Sequence, residues 1–149
     1  MADVSSHSYL RDAVMTASPE QLHLMLYDGC IRYAAQAREA LERKDFETSF
    51  DRLTRARNII SEMQAGLRHE VNPELCERVA AIYGFLYHKL LDANVNRSVS
   101  DIDDAMRVLK VERETWRILV DKVNRAQSDD GGPAPHADGA PGISFSVEG

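Results

Sequence analysis

The chain has 149 residues, is 44% hydrophobic and 28% charged, and carries a formal net charge of −6. That is enough chain for one domain with a real core, and the balance is that of a globular protein. An acidic chain without a basic stripe is a poor match for a nucleic-acid backbone or an anionic membrane surface.

No apolar run approaches the roughly 18 residues of a membrane span. The opening MADVSSHSYLRD lacks the basic-then-apolar order of a signal peptide. Cys30 and Cys76 fall inside helical patterns and form no C-x-x-C, so a reduced, cytoplasmic chain is expected.

The first segment, Tyr9–Met15 (YLRDAVM), is amphipathic but too short to hold as a lone helix, so it must dock on something larger. A clear helix start follows at Ser18: Ser18 as N-cap, Pro19 in the first helical position, Glu20 in the first turn and Gln21 completing a capping box. This helix should run to about Arg43, with Leu22, Met25/Leu26, Gly29/Cys30, Tyr33, Ala37 and Leu41 on one face. After a break at Lys44-Asp45, a second helix carries Phe46, Phe50, Leu53, Ala56, Ile60, Met63 and Leu67. Asn72-Pro73-Glu74 starts a third, whose main face is Leu75, Val79, Ile82/Tyr83, Leu86, Leu90 and Ala93. The polar stretch 94–100 separates it from a fourth, which Ser100 with Asp103 is placed to cap. Its stripe is Ile102, Ala105/Met106, Leu109, Trp116, Leu119/Val120 and Val123. Residues 128–149 hold five of eight glycines and three of five prolines and read as a flexible tail.

Long helices with short connections imply antiparallel neighbours. The expected architecture is all-α: an antiparallel up-down four-helix bundle (18–127), a short docked N-terminal segment (1–17) and the tail (128–149).

Catalytic and metal chemistry finds little support. One Glu-x-x-His, Glu20 to His23, reads as a solvated surface pair, and the second pair needed by a di-metal bundle is missing. The five histidines lack H-E-x-x-H spacing and are read as surface or loop residues. Cys30 and Cys76 occupy core-like positions. Neither a phosphate-cradling glycine loop nor G-x-S-x-G occurs. No catalytic residue, metal or cofactor is therefore assigned, and a metal-binding bundle enzyme is the rival from another class.

The apolar residues exceed what one stripe per helix can hold. Helix one has a second stripe at Leu24, Tyr27, Ile31 and Ala34/Ala35. Helix three has Ala80, Tyr83, Tyr87, Leu91 and Asn94 beside its core face. Each tyrosine alone fits core packing with its hydroxyl reaching water. Taken together, the overflow points to an apolar groove on the bundle that binds another chain.

Residues 9–29, from Tyr9 through VMTASPEQL and MLYDG, resemble the opening of the flagellar secretion chaperone family, FliS. RARNIISEM (55–63), LYHKLLDAN (86–94) and VERETW (111–116) resemble later segments of that family in the same order. The resemblance implies a cytosolic bacterial four-helix bundle that binds the C-terminal segment of flagellin, prevents premature polymerisation and presents it to the flagellar type III export gate. The client would wrap the bundle as short helices that fold on binding. The groove residues would be Leu24, Tyr27, Ile31, Ala34, Ala80, Tyr83, Tyr87, Leu91 and Asn94. Tyr9, Leu10, Val14 and Met15 would form a displaceable plug. The alternatives are a FliS-like bundle serving another client and a regulatory adaptor. The end of the tail, Ile143–Val147, alternates apolar residues and either folds back on the groove or stays loose.

Overall fold

The computed structural model describes residues 17–68 and 70–130, the last two by backbone alone. The expected plug residues Tyr9, Leu10, Val14 and Met15, and the tail from residue 131, lie outside the described residues.

Four helices follow in order: α1 (Pro19–Glu42), α2 (Phe46–Ala65), α3 (Pro73–Asn96) and α4 (Val99–Asp130). Their starts follow the cap chemistry. The Ser18 hydroxyl accepts from the Gln21 N–H at 3.2 Å, and the Gln21 side chain accepts from the Ser18 N–H at 3.1 Å, so the capping box closes. Asp45 accepts from the Thr48 N–H at 3.2 Å and Asn72 from the Leu75 N–H at 3.2 Å. The fourth start differs from the expectation. Ser98 is the cap, its hydroxyl taking the Asp101 N–H at 3.2 Å, and Ser100 lies inside the helix. The polar stretch 94–100 contracts to Arg97 and Ser98 because Arg97 turns the chain in the left-handed region at φ 51°. Lys44 does the same between α1 and α2 at φ 61°. Helix α4 also runs three residues past Gln127.

Each helix packs on two neighbours, α1 on α2 and α4, and α3 on α2 and α4, which makes a square. Directions follow from side-chain pairs. Asp28 meets Arg113 and Arg38 meets Asp103, so ten residues forward on α1 are ten back on α4. Arg57 lies over Tyr87 and Arg97 over Phe46, the same reversal between α2 and α3. The molecule is an antiparallel four-helix bundle.

The buried seam follows three- and four-residue steps, with one seven-residue step on each of α3 and α4, as knobs facing a shared axis require. It comprises His23, Tyr27, Cys30, Ala34, Ala37 and Leu41 on α1, and Ser49, Leu53, Ala56, Ile60 and Met63 on α2. On α3 it is Cys76, Tyr83, Leu86, Leu90 and Ala93, and on α4 Ile102, Ala105, Leu109, Trp116 and Val120. Two expectations are corrected. Phe46 and Phe50 are 37% and 59% exposed, and Ser49 takes the core position between them. On α1, Leu22, Gly29 and Cys30 are buried as expected, but His23, Tyr27 and Ala34 join the core, and Leu26 and Tyr33 flank it instead of filling it.

Candidate functional site

The nine residues of the expected groove divide into three groups. Tyr27, Ala34 and Tyr83 are core residues, at most 1% exposed. Their assignment to a groove is corrected: they continue the 3-4 seams of α1 and α3. Leu24 and Ile31 are half-buried on the flank where α1 meets α4, on the same helical stripe as Asp28 and Arg38. Ala80, Tyr87, Leu91 and Asn94 lie on the opposite side, on the α3 stripe that faces α2. The nine residues therefore do not line one groove.

The two flanks differ in chemistry. On the α1/α4 flank, Arg38 donates to Asp103 at 2.6 Å and Arg113 pairs with Asp28, so charged clasps bridge the helices on either side of Ile31. The α3/α4 flank is bridged by Lys89, 3.4 Å from Asp101 and 3.2 Å from Asp104. Among the described residues no ion pair bridges α2 and α3. Their contact is made by Arg57 above the Tyr87 ring at 5.9 Å and, at the bundle's end, by Arg97 stacked on Phe46 at 3.8 Å.

Gly84 sits between Ala80 and Tyr87 on this stripe, and a Cβ built on it meets nothing within 4 Å. An apolar strip, open at Gly84, thus runs along α3 from Ala80 through Gly84 and Tyr87 to Leu91, and exposed Phe50 lies on the side of α2 that faces it, near its Leu91 end. Two buried donors on this flank, Arg57 Nε and Asn94 Nδ2, have no acceptor among the described residues. Sequence reasoning missed Gly84, Arg57 and Phe50. The available signal was the i, i+4 pair Ala80 and Gly84, small residues in an otherwise bulky helix.

The end of the core toward Pro19 holds an unexpected polar cluster. His23 Nε2 lies 2.8 Å from the Tyr83 hydroxyl, and the phenols of Tyr83 and Tyr27 act on one another through space. The His23 ring packs on Trp116 at 4.0 Å and meets Tyr27 edge-on at 5.1 Å. The reading of Glu20 and His23 as a solvated pair is corrected: both are buried, His23 completely. Burial pulls the imidazole pKa down to about 3, so the ring is neutral near pH 7. Burial likewise pushes both tyrosines above the ordinary phenol range. It also raises Glu112, which sits one turn from Trp116 and acts on both hydroxyls through space. Cys30 is pushed up to about 12 by burial and lies 3.7 Å from the Ala56 carbonyl, an inert thiol. Among the described residues no three His, Cys, Asp or Glu side chains converge as a metal ion requires, and no helix is long and apolar enough to cross a membrane.

The sequence model of one family, described as flagellar protein FliS, matches residues 1–123. The chain belongs to the FliS family. The flagellar secretion chaperone FliS of Bacillus subtilis is 29% identical over 85% of this chain and 94% of its own length. That of Salmonella typhimurium is 32% identical over 80% of this chain and 89% of its own length. A crystal structure of a bacterial flagellar chaperone superposes with a TM-score of 0.67 at 20% identity, covering 82% of this chain and 99% of the other, which shows the shared fold. The FliS match ends before the tail.

Proposed function

We propose that this FliS-family bundle is a cytoplasmic export chaperone. It binds the C-terminal segment of flagellin, keeps that segment from polymerising and delivers it to the flagellar type III export apparatus. Family membership supports the chaperone role. The observation that carries client binding is the α2/α3 flank: an apolar strip, open at Gly84, with no interhelical ion pair and with two donors lacking acceptors among the described residues. An amphipathic client helix would set its apolar face against Ala80, Tyr87 and Leu91, where small residues let its backbone approach closely. Acceptors on the client would meet Arg57 and Asn94, relieving an unmatched cost. The α1/α4 flank, with Leu24 and Ile31 between ion pairs, is a second contact for a client that wraps the bundle.

The test is calorimetric titration of the full chain with the C-terminal segment of flagellin from the same organism. One-to-one binding with a negative heat-capacity change is expected, as apolar burial and coupled folding require. Leu91→Asp should weaken it about tenfold or more, ~1.4 kcal/mol, with helicity retained. Absence of binding by the wild-type chain overturns the proposal; unchanged binding by a folded Leu91→Asp variant overturns the assigned flank.

A further inference from the structure

The proposed client reading leaves the α3/α4 flank unused. This flank carries an apolar stripe of its own. On α4, Val111 is 65% and Ile118 43% exposed, and on α3 Phe85 is 42% exposed. The 3-4 spacing from Asp104 through Val108, Val111, Thr115 and Ile118 to Lys122 puts these on one face of α4. The spacing Arg78, Ile82, Phe85, Lys89 does the same on α3, and the Lys89–Asp104 pair at 3.2 Å joins the two faces. Arg78 and Lys122, both exposed, have no ion-pair partner among the described residues. The stripe is thus apolar in the middle, closed by the Lys89–Asp101–Asp104 cluster at one end, and positive at the other, where α3 begins and α4 finishes.

We infer that the chain's own C-terminal segment, Ile143–Val147, docks on this stripe. Three observations single it out. The first is reach. Helix α4 ends at Asp130, and twelve helical residues back to Ile118 span about 18 Å at 1.5 Å each. Residues 131–142, rich in glycine and proline, make a tether with a root-mean-square span of about 19 Å. The second is spacing. Ile143, Phe145 and Val147 share one side of an extended segment about 13 Å long, and Ile118 to Val111 along α4 is about 10 Å. The third is charge. Residues 131–149 hold Asp138 and Glu148 and no lysine or arginine, which suits the uncompensated Arg78 and Lys122. In this arrangement the tail covers Phe85, Val111 and Ile118 within the same molecule, so the apolar stripe is not left open to a second copy.

The inference goes beyond the proposed function and its test does not use the client. Methyl and aromatic NMR on the full chain is compared with the full-chain double variant Phe145→Ser/Val147→Ser. A nuclear Overhauser contact between the Phe145 ring and the Ile118 δ-methyl is expected. In the variant the Val111 and Ile118 methyls should lose their ring-current shift while the Ile31 methyl on the α1/α4 flank stays put, all independently of protein concentration. No contact and no shift overturns the proposal, as does a Phe145 contact with another flank. Ile118 shifts that grow with concentration in both proteins would make a second copy the occupant and also overturn it.

Discussion

Acidification should loosen this bundle well above the pH at which carboxylates protonate, and His23 is the cause. Its pKa falls from 6.5 in the unfolded chain to about 3 when buried against Tyr83, Tyr27 and Trp116. A base with a depressed folded pKa contributes stability that is complete above the unfolded value and is lost as pH falls toward the folded one. At pH 5 the unfolded imidazole is protonated and the folded one is not. The gap of 1.5 units at 1.36 kcal/mol each removes about 2 kcal/mol relative to pH 7. Glu112 acts with the opposite sign: burial raises its pKa above 4.5, so its contribution is present below that value and lost as pH rises through the folded one. Asp45, Asp51, Asp103 and Glu114 are held low by their hydrogen-bond partners, so their contributions begin to fail only near pH 4. The assay is urea unfolding of wild type and His23→Gln at pH 7, 6 and 5. Gln keeps a polar side chain but cannot titrate. The wild-type midpoint should drop by about 1 M urea between pH 7 and 5, for a slope near 2 kcal/mol per M, and the variant's midpoint should move little. Parallel pH dependence in the two proteins would refute the reasoning.

Tyr83→Phe removes the hydroxyl that pairs with His23 Nε2 and should cost about 1–3 kcal/mol in chemical unfolding by taking away the partner of a buried imidazole nitrogen. Ser18→Ala opens the capping box and should cost about 1 kcal/mol, with increased amide exchange confined to the first turn of α1. Gly84→Ala meets open space, so it should stabilise the free protein by up to ~1 kcal/mol while weakening the flagellin segment in calorimetry. Equal affinity would place the client elsewhere. Leu109→Ala leaves a cavity at a fully buried seam position and should cost about 2–5 kcal/mol.

Helix number, order and the first three starts were legible because capping and 3-4 periodicity are local. Ser18-Pro-Glu-Gln and Asn72-Pro-Glu each state a helix start within four residues. The fourth start was misread because Ser98 and Ser100 are both competent caps, and the choice belongs to Arg97, whose left-handed turn ends α3 early enough for Ser98 to serve. The α1 seam was misplaced for a different reason. It passes through His23 and Tyr27, and a rule that scores histidine as polar steers the stripe from Leu22 to Leu26. The hydroxyl of Tyr83, sixty residues away, helps make the imidazole tolerable inside, and nothing local to α1 announces it. The groove suffered most. Tyr83 is read equally well on either face of α3, and no single helix tells which neighbour its side stripe will meet. Thus Leu24 and Ile31 were pooled with Ala80 and Leu91, although the square packing sets them on opposite flanks.

The seam is graded along its length. Toward Leu41, Ala34, Ala37, Ala56, Ala93 and Ala105 present small side chains that hold little polarity and let backbones lie close. Toward Pro19, the same axis is filled by an imidazole, two phenols, an indole and a half-buried carboxyl. Such a bundle need not open uniformly. The aromatic end depends on a hydrogen bond whose geometry must be kept, the other end mainly on apolar contact with Ser49 as its one polar seam residue, and water entering at the first costs less than at the second. Amide protection should therefore rise from the His23 level to the Ala37 level on all four helices. A chaperone built this way has one end that yields and one that endures, so a client could be threaded off from the yielding end without dissolving the scaffold that held it.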